Sequence, residues 1–203
     1  MYAKILTPNG WVDFNPRPYQ SNLLDELKSE ANVLVKSDRQ MGLTTTIYQY
    51  IIDRYCNDPE FTCLIIYPST SECKMRADIL YKMIKSVGST DLTIDFDISE
   101  RISIMSSKTV ITLCGSRLDF KEVFIENAEF CNIVELYSAL LMLMSKNSKL
   151  KFIGHTVDLD MLFNDRHLIR WPYTLNSTFN NPEWIANMKD ILGEHRFNLE
   201  FQG

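Results

Sequence analysis

The stretch "VLVKSDRQMGLTTTIYQYII", residues 33–52, decides the fold of this chain. Its first part is rich in β-formers, and its last part carries apolar residues at the i, i+3 and i+4 spacing of a helix. The part between them contains a glycine and ends in a run of threonines, which is typical of a phosphate-binding loop between a strand and a helix. Such loops normally carry a lysine before the hydroxyl residue, but Leu43 occupies that position here.

The loop predicts phosphate binding through its backbone, because such loops hold phosphate with N–H groups and with the positive end of the following helix. Gly42 lets the backbone pass close to a phosphate, and Thr44 supplies the hydroxyl that usually holds Mg²⁺. Leu43 has no charge and no donor, so we expect Lys36 at the strand end or Arg39 in the loop to neutralise phosphate. The alternative is a plain β–α turn whose threonines cap a helix.

A second candidate motif is "VFIENAEF", residues 123–130. An apolar strand that ends in an acid can order Mg²⁺ and its waters, and Glu126 fits that role with one methylene more than the usual aspartate. The next position normally carries an acid that polarises the attacking water, whereas Asn127 can orient a water but cannot take its proton. Glu129 is the nearest spare carboxylate. The alternative is a buried strand with an ordinary polar end.

Strand patterns and helix patterns alternate along the chain, which predicts a mainly parallel, three-layer α/β sheet with helices on both faces. Ligands of such sheets bind at the carboxyl ends of the strands, so residues 36–45, 126–127 and 154–157 should meet. The patterns predict helices at 15–30, 44–56, 71–87, 133–146 and 182–201, and strands at 31–37, 61–68, 101–106, 109–115, 122–130 and 149–156. Residues 167–176 are expected to be extended and broken by proline.

The bulk composition is that of an ordinary globular domain, with 45% apolar and 23% charged residues. A net charge of −5 argues against a surface built wholly for nucleic acid. The five cysteines form no CxxC pair, which favours core thiols in a reducing compartment over zinc ligands or disulfides. No apolar run is long enough for a membrane span, and the first residues lack a signal-peptide pattern. We expect an intracellular protein.

Three segments together resemble the ATPase domain of the large terminase subunit of tailed phages, the family that packages viral DNA. They are "RPYQSNLLDEL", "KSDRQMGLTT" and "FKEVFIENAEF". The resemblance implies a P-loop NTPase fold of the ASCE/RecA-like type, with ATP and Mg²⁺ as ligands if the site is functional and no cofactor otherwise. It covers nearly the whole chain as one ATPase domain, residues 1–203, without the nuclease domain that follows in the family.

The resemblance also assigns roles to residues of this chain. Tyr19 and Gln20 match a pair that contacts adenine, and Thr44 and Glu126 match the metal-binding positions. The catalytic positions are Glu126, Asn127 and Arg117, where Arg117 matches an arginine that enters a neighbouring subunit's site. His155 and Thr156 end a strand that couples hydrolysis to movement. The nucleotide-binding loop, with Lys36 before it, comprises Asp38, Arg39, Gln40, Met41, Gly42, Leu43, Thr44 and Thr45.

The sequence departs from the family where the chemistry is most demanding: Leu43 replaces the loop lysine, Glu126 the metal aspartate and Asn127 the catalytic glutamate. Each change alone typically costs orders of magnitude in phosphoryl-transfer rate. We therefore favour a terminase-like pseudoenzyme or weak ATPase that binds nucleotide and regulates or builds a viral assembly. The alternatives are an active packaging motor that uses Lys36 or Arg39, and an unrelated α/β scaffold with chance matches.

The resemblance implies the partners and the compartment as well. They are a homo-oligomeric ring or another packaging subunit, double-stranded DNA, and the host cytoplasm, with no membrane.

Overall fold

A computed structural model describes residues 2–29, 32–38, 40–87, 101–113, 120–144, 147–154, 167–177 and 179–201. The strands are β1 (Lys4–Thr7), β2 (Gly10–Asp13), β3 (Val33–Ser37), β4 (Cys63–Tyr67), β5 (Ile102–Ser106), β6 (Glu122–Ile125), β7 (Lys149–Gly154) and β8 (His167–Trp171). The helices are α1 (Pro18–Lys28), α2 (Leu43–Asn57), α3 (Thr70–Ser86), α4 (Ser107–Thr112), α5 (Ile133–Leu143), α6 (Pro182–Leu192) and α7 (Glu194–Phe201).

A six-stranded sheet in the order β5-β4-β6-β7-β3-β8 forms the centre of the fold. Every neighbouring pair in it is parallel, and the register aligns Val35 with Ile153 and Ile65 with Phe124. The strand β7 lies between β3, which leads into the phosphate loop, and β6, which ends just before Glu126. This arrangement confirms the predicted α/β fold of the P-loop NTPase, RecA-like type.

Successive residues of the strands point into two different cores, as the period of two in a strand requires. Val33 and Val35 of β3 pack on one face, together with α1, α2, α3 and the aromatic residues of α7. Leu34 packs on the other face with α4 and α5. Because both faces are covered, the strands are almost continuously apolar, which explains the buried runs seen in the sequence.

The structure corrects one predicted strand. Residues 109–115 were expected to form a strand after β5, but residues 109–112 belong to the helix α4, Ser107–Thr112. The side chain of Ser106 caps this helix by accepting a hydrogen bond from the backbone N–H of Thr109. The cap outweighs the β preference of Val110 and Ile111, because intrinsic propensity is weaker than a local cap combined with burial.

Two further features differ from the sequence-based expectation. The first residues form an antiparallel hairpin, β1 and β2, which the sequence analysis missed. The predicted C-terminal helix is divided in two, because Gly193 has a φ of 76° and ends α6.

No described helix combines the length and the apolar character that crossing a membrane requires.

Candidate nucleotide-binding site

The loop between β3 and α2 makes the tight turn that the sequence predicts. Gln40 and Gly42 have positive φ angles of 62° and 77°. Left-handed residues in such loops turn backbone N–H groups toward a common point, where an anion can bind. Gly42 has a second constraint, because a Cβ atom there would lie 2.8 Å from Nε2 of Gln20. Only glycine satisfies both the angle and the close approach.

Leu43 begins α2, and its side chain faces the protein interior. It is 7% exposed and belongs to the core shared by α1, α2 and α3. This position therefore offers no donor to a phosphate. Of the two cations expected to compensate, Lys36 lies half-buried near the carboxyl end of β3, level with Gly154 of β7 and Arg170 of β8. Arg39 lies outside the described residues.

Thr44 and Glu126 meet at the carboxyl edge of the sheet. Thr44 lies in the first turn of α2, and its hydroxyl donates to Oε2 of Glu126 at 3.0 Å. Glu126 directly follows β6 and is 1% exposed, so the protein shields this carboxyl from water. Its other oxygen, Oε1, has no hydrogen-bond partner among the described residues. A buried carboxyl with one unsatisfied oxygen is costly unless a ligand completes it.

Burial raises the pKa of Glu126 to about 7, because desolvation disfavours the charged form. The Thr44 hydrogen bond and the positive charge of Arg76 act in the opposite direction, and Glu72 and Glu129 raise the pKa further. The carboxyl therefore changes protonation state close to neutral pH. A divalent cation at this carboxyl would have to displace its proton.

The donor set fits Mg²⁺ held jointly by protein and phosphate. Within the described residues, no three His, Cys, Asp or Glu side chains are grouped so that they could hold a metal ion. Mg²⁺ in nucleotide sites usually takes one or two protein oxygens and completes its shell with water and phosphate. The Thr44 hydroxyl and the Glu126 carboxylate supply those two oxygens.

Asn127 occupies the position expected for the catalytic acid, and its side chain has a specific partner. The residue is left-handed, with a φ of 53°. Its Nδ2 donates to Oε1 of Glu72 at 2.5 Å. Glu72 lies in the first turn of α3 and also lies 3.9 Å from the guanidinium of Arg76. A carboxylate therefore lies directly beside Asn127, although it comes from another part of the chain.

Glu129, the spare carboxylate noted in the sequence, lies in a 3-10 turn after β6. Both of its carboxyl oxygens are buried and have no hydrogen-bond partner among the described residues. The residue is close enough to raise the pKa of Glu126. Glu129 is thus an acidic residue near Glu126 whose carboxyl oxygens do not reach solvent.

Tyr19 and Gln20, predicted to contact adenine, hold the phosphate loop. The Tyr19 hydroxyl donates to the carbonyl of Met41 at 3.3 Å, and Gln20 Nε2 donates to the same carbonyl at 3.5 Å. Gln20 Oε1 accepts the backbone N–H of Arg17 at 2.9 Å. Both side chains are buried, and Met41 itself packs in the core. The pair thus connects the start of α1 to the loop, which sequence spacing alone did not indicate.

A cleft of about 340 Å³ opens beside these residues. It runs from the loop to the segment after β8 and combines polar and aromatic side chains. The cleft is lined in part by Gln20, Gln40, Gly42, Thr45, Asn176 and Phe179. Its place next to the phosphate loop and its size suit a nucleoside.

Asp38 has a structural partner at the start of the loop. Its carboxylate accepts the backbone N–H of Tyr173 at 2.6 Å, and its own N–H donates to the carbonyl of Trp171 at 3.0 Å. These bonds fasten the edge strand β8 to the loop. Arg117, His155 and Thr156 lie outside the described residues, so their assigned roles stay predictions.

The strand β4 and the helix α3 also contribute to this edge of the sheet, which the sequence motifs did not indicate. Tyr67 ends β4 and shares a hydrogen bond of 2.5 Å with Tyr48 of α2, and the charge of Glu126 acts on both hydroxyls. Glu72 enters from the helix that follows β4. The rule that carboxyl ends of parallel strands converge could have indicated both, because β4 neighbours β6.

Several solved structures share this fold at low sequence identity. The ATPase domain of a Thermus phage large terminase has a TM-score of 0.67 and 11% identity, covering 93% of each chain. The large terminase of a thermophilic bacteriophage, in complex with ADP, has a TM-score of 0.69 and 11% identity, covering 92% of this chain and 52% of that one. The UvsW helicase from bacteriophage T4 has a TM-score of 0.60 and 15% identity, covering 83% and 64%.

No protein-family model matches the sequence, and no curated protein matches it at the sequence level. The likeness to terminase and helicase structures thus establishes a common fold of the P-loop NTPase type. This chain spans nearly all of the Thermus phage ATPase domain and about half of the terminase solved with ADP.

Proposed function

We propose that this chain is a terminase-like nucleotide-binding domain that binds ATP with Mg²⁺ and hydrolyses it weakly or not at all. The contact between Thr44 and Glu126 carries the proposal. Two oxygens that suit Mg²⁺ meet beside a loop that presents backbone donors, and one of these side chains is buried with an unsatisfied oxygen. A plain β–α turn has no need of such an arrangement.

The residues of the chain divide the binding task. The loop around Gly42 and the first turn of α2 would hold the phosphates through backbone N–H groups. Thr44 and Glu126 would hold Mg²⁺, which supplies charge neutralisation for the phosphates when bound. Gln40, Thr45 and Asn176 line the cleft in which the nucleoside would lie.

Slow hydrolysis follows from the side chains at the two altered positions. Leu43 is buried in the core and places no positive charge on the β- and γ-phosphates. Asn127 can orient a water but cannot accept its proton. Stabilisation of charge dominates phosphoryl transfer, so these losses leave binding largely intact and reduce the rate.

The biological role that fits such a domain is a nucleotide-dependent or structural partner in a viral packaging assembly in the host cytoplasm. The terminase structures of similar fold support this role. Partners in the proposal are further copies of the chain, another packaging subunit and double-stranded DNA. Arg117 would act on a neighbouring site in that assembly.

The second candidate is an active packaging motor whose loop uses Lys36 or Arg39 in place of the lysine. One observation favours it: the carboxylates of Glu72 and Glu129 lie near Glu126, although position 127 itself carries an amide, and the oxygens of Glu129 are buried. A buried carboxyl close to a metal site can take up a proton when the site rearranges.

Phosphate release and nucleotide binding, measured on the same protein, separate the candidates. We expect a fluorescent ATP analogue to bind in the presence of Mg²⁺, with turnover far below about one per second, which is the low end of the usual enzyme range. Turnover at or above that rate supports the motor. Absence of nucleotide binding at millimolar ligand contradicts both.

Two variants sharpen the test. Thr44→Val keeps the shape of the side chain and removes the hydroxyl, so we expect weaker Mg²⁺-dependent binding, whereas Thr112→Val at an exposed helix end should have no effect. Leu43→Lys together with Asn127→Glu restores the family's residues and should raise the hydrolysis rate. If this double variant binds ATP and stays as slow as the parent, the two residues do not account for the slow rate.

A further inference from the structure

The pair formed by Asn127 and Glu72 is an amide and a carboxylate in direct contact at the edge of the site. The Nδ2 atom of Asn127 lies 2.5 Å from Oε1 of Glu72. A carboxylate oxygen is therefore present within hydrogen-bond distance of the position where an acid was expected. The carboxylate that position 127 lacks is thus supplied by Glu72, in the first turn of α3, the helix that follows β4.

The fold holds Glu72 firmly at this point. The strands β4 and β6 are parallel neighbours, so the helix after β4 begins beside the residues that follow β6. The N-cap Ser69 accepts the backbone N–H of Glu72 at 3.2 Å, which fixes the first turn of α3. Arg76, one turn later, lies 3.9 Å from the same carboxylate oxygen. These contacts orient the carboxylate and leave it accessible to water.

Access to water distinguishes Glu72 from the other two acids at this edge. The side chain of Glu72 is 20% exposed. Glu126 is 1% exposed and is committed to Thr44, and both oxygens of Glu129 are buried. A base that activates water must exchange protons with solvent and touch the water, which Glu72 alone of the three can do as the structure stands.

We infer that Glu72 is the carboxylate that activates the attacking water, in place of the acid missing at position 127. This inference rests on the nucleotide site proposed above and accounts for its residual hydrolysis. The Glu72 carboxylate accepts a proton from water while Asn127 orients the same water through its amide. The water oxygen bonds to the γ-phosphorus, the bond from that phosphorus to the β,γ-bridging oxygen breaks, and ADP leaves with the electron pair.

The proton taken up by Glu72 returns to solvent through its exposed side, so the products are ADP, phosphate and one released proton. No oxidant, reductant or further reactant is needed. The acid thus lies on α3 and the amide follows β6, whereas the resemblance predicts an acid after β6. This placement explains why the sequence around Glu126 alone looks inactive.

Glu72→Gln tests the inference, with Asp78→Asn as a matched control on the same helix, where Asp78 pairs with the exposed Lys82. General-base catalysis contributes about 10²- to 10⁴-fold, so Glu72→Gln should lower the rate of ATP hydrolysis at least about a hundredfold. The affinity for the nucleotide should change by less than about threefold, since the variant keeps the shape and the contact to Asn127. The control should match the parent in both measurements.

The reciprocal exchange, Glu72→Gln with Asn127→Asp, separates a chemical role from a structural one. It moves the carboxylate across the contact and preserves the hydrogen-bonded pair, so it should recover at least about tenfold of the rate that Glu72→Gln loses. A merely structural role of Glu72 predicts no such rescue.

The outcomes separate this inference from the proposed function. Nucleotide binding without any turnover above background in the parent protein overturns the role of Glu72 and leaves the binding site standing. An unchanged rate in Glu72→Gln overturns it as well, as does a loss confined to Glu129→Gln. Failure of the parent protein to bind nucleotide overturns the proposed function itself.

Discussion

Two buried glutamates lie at opposite ends of β6, and their surroundings differ. Glu122, at the start of the strand, accepts a hydrogen bond from the Tyr50 hydroxyl at 2.8 Å and lies 3.7 Å from Lys151 Nζ. Glu126, just after the strand, has Thr44 as its single hydrogen-bond partner among the described side chains. Glu122 Oε2 makes no hydrogen bond to the described residues, but the Lys151 ammonium lies 3.7 Å from it, whereas Glu126 Oε1 has no hydrogen-bond partner among them. The amino end of the strand thus places a counter-charge beside its buried carboxylate, whereas the carboxyl end leaves an oxygen for a ligand.

The network at the amino end connects several layers of the fold. Lys151 of β7 is fully buried and donates to the carbonyl of Leu27 at the end of α1, at 2.7 Å. Tyr50 brings in α2, and the ammonium of Lys151 lies 5.4 Å from its ring centroid. Removal of one partner of a buried ion pair is expensive, because it leaves the other charge buried without compensation.

The largest expected effect comes from the same substitution at both ends of β6. Glu122→Gln leaves the Lys151 ammonium without its counter-charge, so the free energy of unfolding should fall by about 3–5 kcal/mol. Glu126→Gln replaces a buried carboxyl that is ionised at pH 8 with a neutral amide, so stability at this pH should not fall and should rise by about 1–3 kcal/mol. Urea denaturation of both variants measures the difference, and equal losses would show that the two ends are not distinct.

The second effect concerns the glycine in the phosphate loop. Gly42 and Gly193 share a positive φ, 77° and 76°, but differ in ψ, 23° and 148°, and of the two an added Cβ meets Gln20 Nε2 at Gly42. Gly193→Ala should cost about 1–3 kcal/mol, because its backbone conformation is essentially confined to glycine. Gly42→Ala should cost about 1–2 kcal/mol from its left-handed backbone and about 1 kcal/mol more from the contact, and it should also weaken nucleotide binding, which Gly193→Ala should not. If Gly42→Ala binds nucleotide as tightly as Gly193→Ala, the contact with Gln20 does not constrain the loop.

The third effect is that the free energy of unfolding depends on pH, with opposite signs at the two ends of β6. The pKa of Glu126 is raised from 4.5 to about 7, so the folded state binds more protons than the unfolded chain between these values, and stability falls as pH rises through them. The pKa of Lys151 is lowered by burial from 10.5 to about 8, so stability rises with pH between about 8 and 10.5.

Each of these two pH ranges forms one limb of the stability curve, over which the free energy of unfolding should change by about 1–3 kcal/mol. Stability curves recorded from pH 4 to 10.5 check this, with one variant for each end. Glu126→Gln should flatten the limb below pH 7 and keep the other, and Lys151→Met should do the reverse. A single variant that removes both limbs would contradict the assignment of separate groups.

Much of the fold could be predicted from the sequence, because the strands are buried on both faces and form clear apolar runs. The loop at Gly42 and the acid at Glu126 also carry recognisable local patterns. The helix α4 was not predicted, since its cap at Ser106 outweighs a β-rich composition. The hairpin at the start of the chain was missed because all the residues of its two strands are exposed or partly buried, so no apolar run marks them.

The site was predictable only where a motif is continuous in sequence. Glu72 reaches Asn127 across 55 positions, through the pairing of β4 with β6, so no local pattern shows the contact. Tyr19 and Gln20 were assigned to adenine by resemblance, which stays a prediction, and their contact with the backbone of the loop was not indicated by the sequence. Strand order, which short motifs do not encode, decides which side chains meet.

The most direct test of the difference between the two ends of β6 is calorimetric titration of ATP, with and without Mg²⁺, at pH 6 and pH 8. Because Mg²⁺ must displace the proton of Glu126, the Mg²⁺-dependent affinity of the parent protein should rise between these pH values, by roughly tenfold. Glu126→Gln should lose both the Mg²⁺ contribution and its pH dependence, while Lys151→Met should keep them. Equal Mg²⁺-dependent binding in the parent and in Glu126→Gln would contradict the account.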